Sequence, residues 1–204
     1  MKKSRLPLLS LAAVALATGC LSPSTPPEIS YFGLQGRAER APESTLARSP
    51  LRLRHVRAPS YIADRIVWRS SPVEVGFYDD RKWCEPPAQT IERALHHQLF
   101  SVQGFVPAEE RAPAVDVEVT FFEEVVAPRH EARVTLVLAL TDSGSRSLPE
   151  MEITETHPVR DDAPSSFALA MDAALDAAMA RLGNAVATAL GKPAPAAASS
   201  PPTE

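Results

Sequence analysis

Histidines, carboxylates and thiols are where chemistry would begin in this chain, and their spacing limits what they can do. His96 and His97 are adjacent. On a helix neighbouring side chains point about 100° apart, whereas a shared metal ion wants positions i and i+4. His55, His130 and His157 fall on or beside different predicted strands with no ligand next to them. All five histidines therefore read as solvated or hydrogen-bonded groups. Asp79, Asp80 and Glu85, interleaved with Arg81 and Lys82, are close enough for paired acid–base work. An exposed hairpin wants the same residues, however, and Glu85 just ahead of Pro86 faces the positive start of a helix. Cys84, in the stretch RKWCEPP, reads as a small buried apolar residue; a reactive thiolate would need a basic partner. No G-x-S-x-G, H-E-x-x-H or glycine-rich phosphate loop occurs, and eight glycines are few for an active site built on loops. The expectation is a protein that is not an enzyme and needs no cofactor or metal.

One thiol has chemistry written around it. Lys2, Lys3 and Arg5 precede an apolar stretch from Leu6 to Ala17. A basic start followed by about a dozen apolar residues is the pattern of a secretory signal peptide, too short for the roughly 20 residues of a spanning helix. It ends in Leu16-Ala17-Thr18-Gly19-Cys20, which looks like a bacterial lipobox, with the favoured leucine one position further out than usual. In that motif the cysteine sulfur takes a diacylglycerol through a thioether, so Cys20 is the expected lipidation site. Each buried methylene contributes about 0.8 kcal/mol, so two or three acyl chains hold a protein firmly on a bilayer. Leu21, rather than Asp, follows the cysteine and favours the outer membrane. Loss of the first nineteen residues removes three positive charges and takes the formal net charge from −4 to −7. Such a surface is not built to attract nucleic acid or anionic lipid by bulk charge.

The elements that position these groups follow from periodicity. Residues 20–30, with Pro23, Pro26 and Pro27, form an extended tether, and residues 191–204 are an Ala/Pro/Ser tail without the means to bury anything. Gly36 to Ser49 is a polar loop. The folded body spans 31–190. Only two cysteines are present, so it rests on its core and not on a disulfide framework. In AVDVEVTFF, Val115, Val117, Val119 and Phe121 alternate with polar residues and should share one face. ARVTLVLALT is apolar on both faces, as a central strand would be, and EMEITETHPV resumes the alternation after a turn. Short connections make these three an antiparallel meander. SYFGLQ, LRLRHVRA, RIVWRS and VEVGFYD are shorter strands. A first helix begins at Pro86 or Pro87, with Ala88, Ile91, Leu95, Leu99 and Val102 as its apolar stripe. A second runs from about Ser165 to Leu190 on Phe167, Met171, Leu175, Met179, Leu182 and Val186, with Gly191 as its stop. The fold class is α+β: a single domain, a largely antiparallel sheet with two main helices packed on one face, preceded by a lipoprotein signal peptide.

Residues 51–99 carry a family pattern. Pro59, Tyr61, Asp64, Arg65, Ile66, Val67 and Arg69, followed by Trp83, Glu85 and Pro86 opening a helix, resemble two motifs of the ABC-type transport auxiliary lipoproteins, the PqiC-like family. Ala63, Lys82 and Cys84 depart from the usual residues without changing a charge type or a core class. The resemblance implies a non-enzymatic envelope role. Such lipoproteins work with an ABC permease, an ATPase and a periplasmic MCE-domain protein that move lipid between membranes, form ring-like homo-oligomers at the outer membrane, and dock the MCE assembly. A structural lipoprotein that tethers an assembly without transport is the alternative. Both tryptophans, Trp68 and Trp83, with Tyr61, Tyr78, Asp64, Arg65 and Glu85, crowd into one stretch, which marks it as the expected partner-binding segment. Within it, Trp83 is expected to be core, Trp68 or Tyr78 surface, and Asp64, Arg65 and Glu85 buried pairs that fix the fold.

Overall fold

The computed structural model describes residues 28–36 and 49–191. The signal peptide, Cys20, most of the 20–30 tether, most of the 36–49 loop and the tail beyond Gly191 lie outside the described residues. Eight strands and two helices follow in the order β1 (Ser30–Phe32), β2 (Pro50–Arg57), β3 (Arg65–Arg69), β4 (Val75–Trp83), α1 (Pro87–His96), β5 (Val106–Pro107), β6 (Ala114–Val125), β7 (Glu131–Thr141), β8 (Met151–Pro158) and α2 (Pro164–Ala189). The protein is a single α+β domain.

The antiparallel meander β6–β7–β8 is the spine of the sheet. Ala114 lies opposite Thr141 at one end of the first ladder and Val125 opposite Glu131 at the other. In β7, Ala132, Val134, Leu136, Leu138 and Leu140 are buried, and they meet Ile153 of β8 in the core. The free edge of β6 accepts two strands end to end, both parallel to it: β2 beside Ala114–Glu118 and β3 beside Glu123–Val125. β3 turns back into β4 as an antiparallel hairpin, and β1 adds in parallel to the last residues of β4.

Strict alternation fails at one point in β6, and the failure matters. Val115, Val117 and Val119 face the core as expected, but the register shifts between Val119 and Phe121. The extra residue is Thr120, whose hydroxyl donates to the carbonyl of Thr135 at 3.2 Å. A β-bulge of this kind exchanges the faces of everything beyond it. Phe122, not Phe121, therefore fills the core at 1 % exposure, and Phe121 is turned to the opposite face.

Pro86 caps α1 and Pro87 opens it, where a missing N–H costs nothing. Ile91 and Leu95 are buried with Pro87, Thr90 and Ala94. Ala88 and Val102 are only half-buried; after His96 the helix widens into a π-helical turn over His97–Val102, which rotates the stripe at Val102. That turn presents Gln98 to α2 at Gly183, where an added Cβ would come within 2.6 Å of its amide. Helix α2 buries Phe167, Met171, Leu175, Met179, Leu182 and Val186, and stops at Gly191 with φ +71°. α2 packs on β7 and β8 and α1 on β2, and their buried residues share one apolar cluster with the inner face of the sheet. Among the described residues no helix covers the opposite face, hereafter the open face.

Candidate functional site

Segment 58–64 leaves β2 and loops over the bulge before β3 begins. Its turn is fixed by the Ile62 N–H donating to the Pro59 carbonyl at 2.9 Å, with Ile62 itself buried. This brings Tyr61 to the carbonyl of Thr120, to which its hydroxyl donates at 3.1 Å. Burial, then the neighbouring Glu123, raises the Tyr61 pKa, so the phenol stays a donor.

Around Tyr61 the open face holds a charged and aromatic cluster. Alternation in β3 sends Ile66 into the core and Val67 and Arg69 outward. Glu123, 1 % exposed, accepts from Arg69 Nε at 2.8 Å and from Arg133 of β7. Both guanidinium groups lie against the Phe121 ring, Arg133 at 4.5 Å and Arg69 at 5.3 Å from its centroid. One strand further out, Arg65 stands 4.4 Å from the ring of Phe77 on β4. Two cations share the one oxygen Glu123 Oε1, so the cluster carries net positive charge, held by charge-assisted hydrogen bonds and by stacking on Phe121. It continues to the hairpin tip, where Val73, Val75 and Val126 are exposed.

The other expected residues divide between the two faces. Trp83 is core at 4 % exposure, with ring centroids 5.5 Å from Phe122 and 5.7 Å from Phe167. Trp68 is half-buried on the inner side, flat across Gly76, where a Cβ would fall 2.1 Å from the indole. Tyr78 is half-buried beneath Arg81, whose guanidinium sits 3.9 Å from its ring, and burial followed by a hydrogen bond to Glu124 pushes its pKa up. Glu124 also meets His130 Nε2 at 2.5 Å.

Asp64, Arg65 and Glu85 are not buried pairs. Asp64 accepts from Lys82 Nζ at 2.8 Å with half its side chain in solvent, and that hydrogen bond holds its pKa down. Arg65 reaches the exposed Asp79 at 3.4 Å. Glu85 accepts from Thr90 Oγ1 at 2.9 Å and from Arg93; burial pushes its pKa up, but those hydrogen bonds outweigh it and the net shift is downward. They sit at the rim because the start of β3 and the end of β4 lie at the margin of the sheet. Cys84 is likewise exposed, not core: it follows the last residue of β4 and donates its N–H to the Phe32 carbonyl at 2.8 Å.

The segment from Tyr61 to Glu85 thus forms one hairpin, with Tyr61, Arg65 and Phe77 on its open face and Trp83 below. Phe121, Glu123 and Arg133 complete the cluster and were not expected there. Their signal was the doubled FFEE at 121–124, which breaks a period of two. Among the described residues no group of three or more His, Cys, Asp or Glu could hold a metal ion. No described helix is long and apolar enough to cross a membrane.

The chain resembles two solved structures over most of their length. A protein from Xanthomonas campestris, assigned to the family model DUF330, superposes with a TM-score of 0.70 at 19% identity, covering 79% of this chain and 98% of that one. A second, described as an uncharacterized protein, gives 0.63 at 18% identity, with 78% and 99% covered. At these identities the likeness is one of fold. No curated protein matches the chain significantly. The family model for the ABC-type transport auxiliary lipoprotein component matches residues 32–187, which include the hairpin, both helices and the meander. The chain belongs to the ABC-type transport auxiliary lipoprotein component family.

Proposed function

We propose that this protein is the outer-membrane lipoprotein of an MCE/ABC-type intermembrane lipid transport system, docking or capping the periplasmic MCE-domain protein. Cys20 carries the acyl anchor in this reading, and copies of the chain associate in a ring. The observation that carries the docking role is the asymmetry of the sheet. One face is sealed by α1 and α2, while the other presents Tyr61, Arg65, Phe77, Phe121 and Arg133 beside exposed valines. Aromatic and arginine side chains fixed by neighbours are what interface hot spots use, because little rotamer entropy remains to be lost on binding. The outer edge of β4 before Arg81 is also unpaired among the described residues, which leaves backbone donors and acceptors beside the cluster.

The test is a photo-crosslinking amino acid placed at Phe77 in the full chain, expressed in its own envelope. The expected product is an adduct with the MCE-domain protein. The same group at Leu169, 71 % exposed on the helical side, should give none. Adducts only from Leu169, or only with wall or assembly proteins from Phe77, would overturn the reading and favour a tether without transport.

A further inference from the structure

At the far end of the open face, roughly 23 Å along β6 from Phe121, three segments enclose a second feature that docking does not use. A cleft of about 330 Å³ is walled by Arg52 and Arg54 of β2, by Arg111 and Ala112 ahead of β6, and by the turn that follows β7. Thr141 at the end of β7 also lines it, and the turn contributes Ser145 and Ser147, together with Asp142.

The charges can be followed one by one. Arg54 is paired with Asp116, which also meets His55 Nδ1 at 3.0 Å. Arg52 donates from Nη1 to the Glu109 carbonyl at 2.8 Å, but its Nε is buried without a hydrogen-bond partner. Asp142 is the one acid in the wall. Its Oδ1 accepts the N–H groups of Gly144 and Arg146, each at 2.9 Å, so that oxygen is committed to the turn. With three guanidinium groups against Asp142 and the Asp116 that neutralises Arg54, the cleft is left positive. Arg111 and Ser145 adopt φ of +56° and +65°, the two left-handed non-glycine residues of the described chain, and both line this cleft. Backbone held in that region by its surroundings collects at binding sites.

We propose that this cleft binds a phosphate-class oxyanion. Guanidinium groups arrive from two sides and hydroxyl donors from the third, an arrangement that encircles a tetrahedral anion; a planar carboxylate would be satisfied by one arginine fork. The bound group is either a free phosphate or the phosphate of a lipid headgroup. This assignment is independent of the docking reading and stands if that reading fails.

Calorimetric titration of the detergent-solubilised full chain tests it, using inorganic phosphate, sodium acetate, sodium chloride at matched ionic strength, and dihexanoyl phosphatidic acid below its micelle concentration. Phosphate should bind saturably, at least tenfold more tightly than chloride or acetate. Arg111→Gly, which removes the cation and relieves the backbone, and Arg52→Lys, which keeps the charge but removes the planar guanidinium fork, should each weaken binding at least tenfold. Circular dichroism melts check that both variants fold, and the glycine variant keeps the test valid if the lysine variant does not. Short-chain phosphatidic acid binding tenfold tighter than phosphate identifies a lipid headgroup, and equal or weaker binding identifies free phosphate. Phosphate binding no tighter than chloride or acetate, or folded variants that bind like the wild type, overturns the proposal.

Discussion

Trp83 and Phe121 are both large aromatic residues near the centre of the chain's charged region, and the sheet uses them on opposite faces. Trp83 fills a site between Phe122 and Phe167 with almost no solvent contact. Its replacement by Ala should cost about 3–5 kcal/mol, as a large cavity does, and lower the melting temperature sharply. Tyr61→Phe removes a single partly exposed hydrogen bond and should cost only about 1 kcal/mol. Thermal melts of the two variants side by side check this contrast. Asp176 on α2 makes a pH prediction. Burial, then the nearby Asp172, raises its pKa to about 6, and its Oδ1 has no hydrogen-bond partner. The folded state therefore holds this proton more tightly than the unfolded chain between about pH 4 and 6. Ionisation of Asp176 destabilises the fold as pH rises through 6, and protonation removes that cost as pH falls. The side chain is half-buried, so partial solvation reduces the effect to about 1 kcal/mol. Asp176→Asn should be more stable than wild type by that amount at pH 7.5, and equal to it near pH 4. Denaturant melts at the two pH values measure the difference.

At the scale of elements, most of the chain is legible in its periodicity. The helix starts at Pro86–Pro87 and near Ser165, the stop at Gly191 and the strands at 115–158 all follow from capping residues and apolar spacing. Two of the irregular places are not legible that way, for the same reason. The bulge at Thr120 and the π turn at His97–Val102 each add a residue to a regular element, and a periodicity argument assumes none is added. The candidate site depends on the first of these, since without the bulge Phe121 would be core and Glu123 would face the helices. The exposure of Cys84 is not legible in its residue type, because its position just past the end of β4 decides it. The π turn explains Gly183, a residue that costs about 1 kcal/mol in a helix interior. Its missing side chain admits Gln98, with an added Cβ 2.8 Å from Gln98 Cγ. Gly183→Ala alone should therefore destabilise the protein despite better helix propensity, by about 1–3 kcal/mol for overpacking. Combined with Gln98→Ala, the same change should be less damaging than the two single costs added. A double-mutant cycle in urea checks that coupling.

At the scale of the molecule, the proposed arrangement is a one-sided layer hung from a lipidated cysteine, its helices facing one way and its hairpin and open sheet face the other. Cys20→Ser should leave the folded domain unchanged by circular dichroism and release it from membranes, since the acyl chains supply the binding free energy. Retention of the variant with outer membranes after a high-salt wash would contradict the anchor. Docking of a transporter component on the proposed Arg–aromatic face is tested by affinity purification from envelope membranes, with a tag after Glu204. The wild-type chain and the double variant Arg65→Glu/Phe77→Asp would be compared, the variant first being shown by its melting curve to fold. The MCE-domain protein and its ABC permease should co-purify with the wild type and be lost from the variant. Equal recovery of both partners with the folded variant, or their absence from the wild-type eluate, would contradict docking on this face.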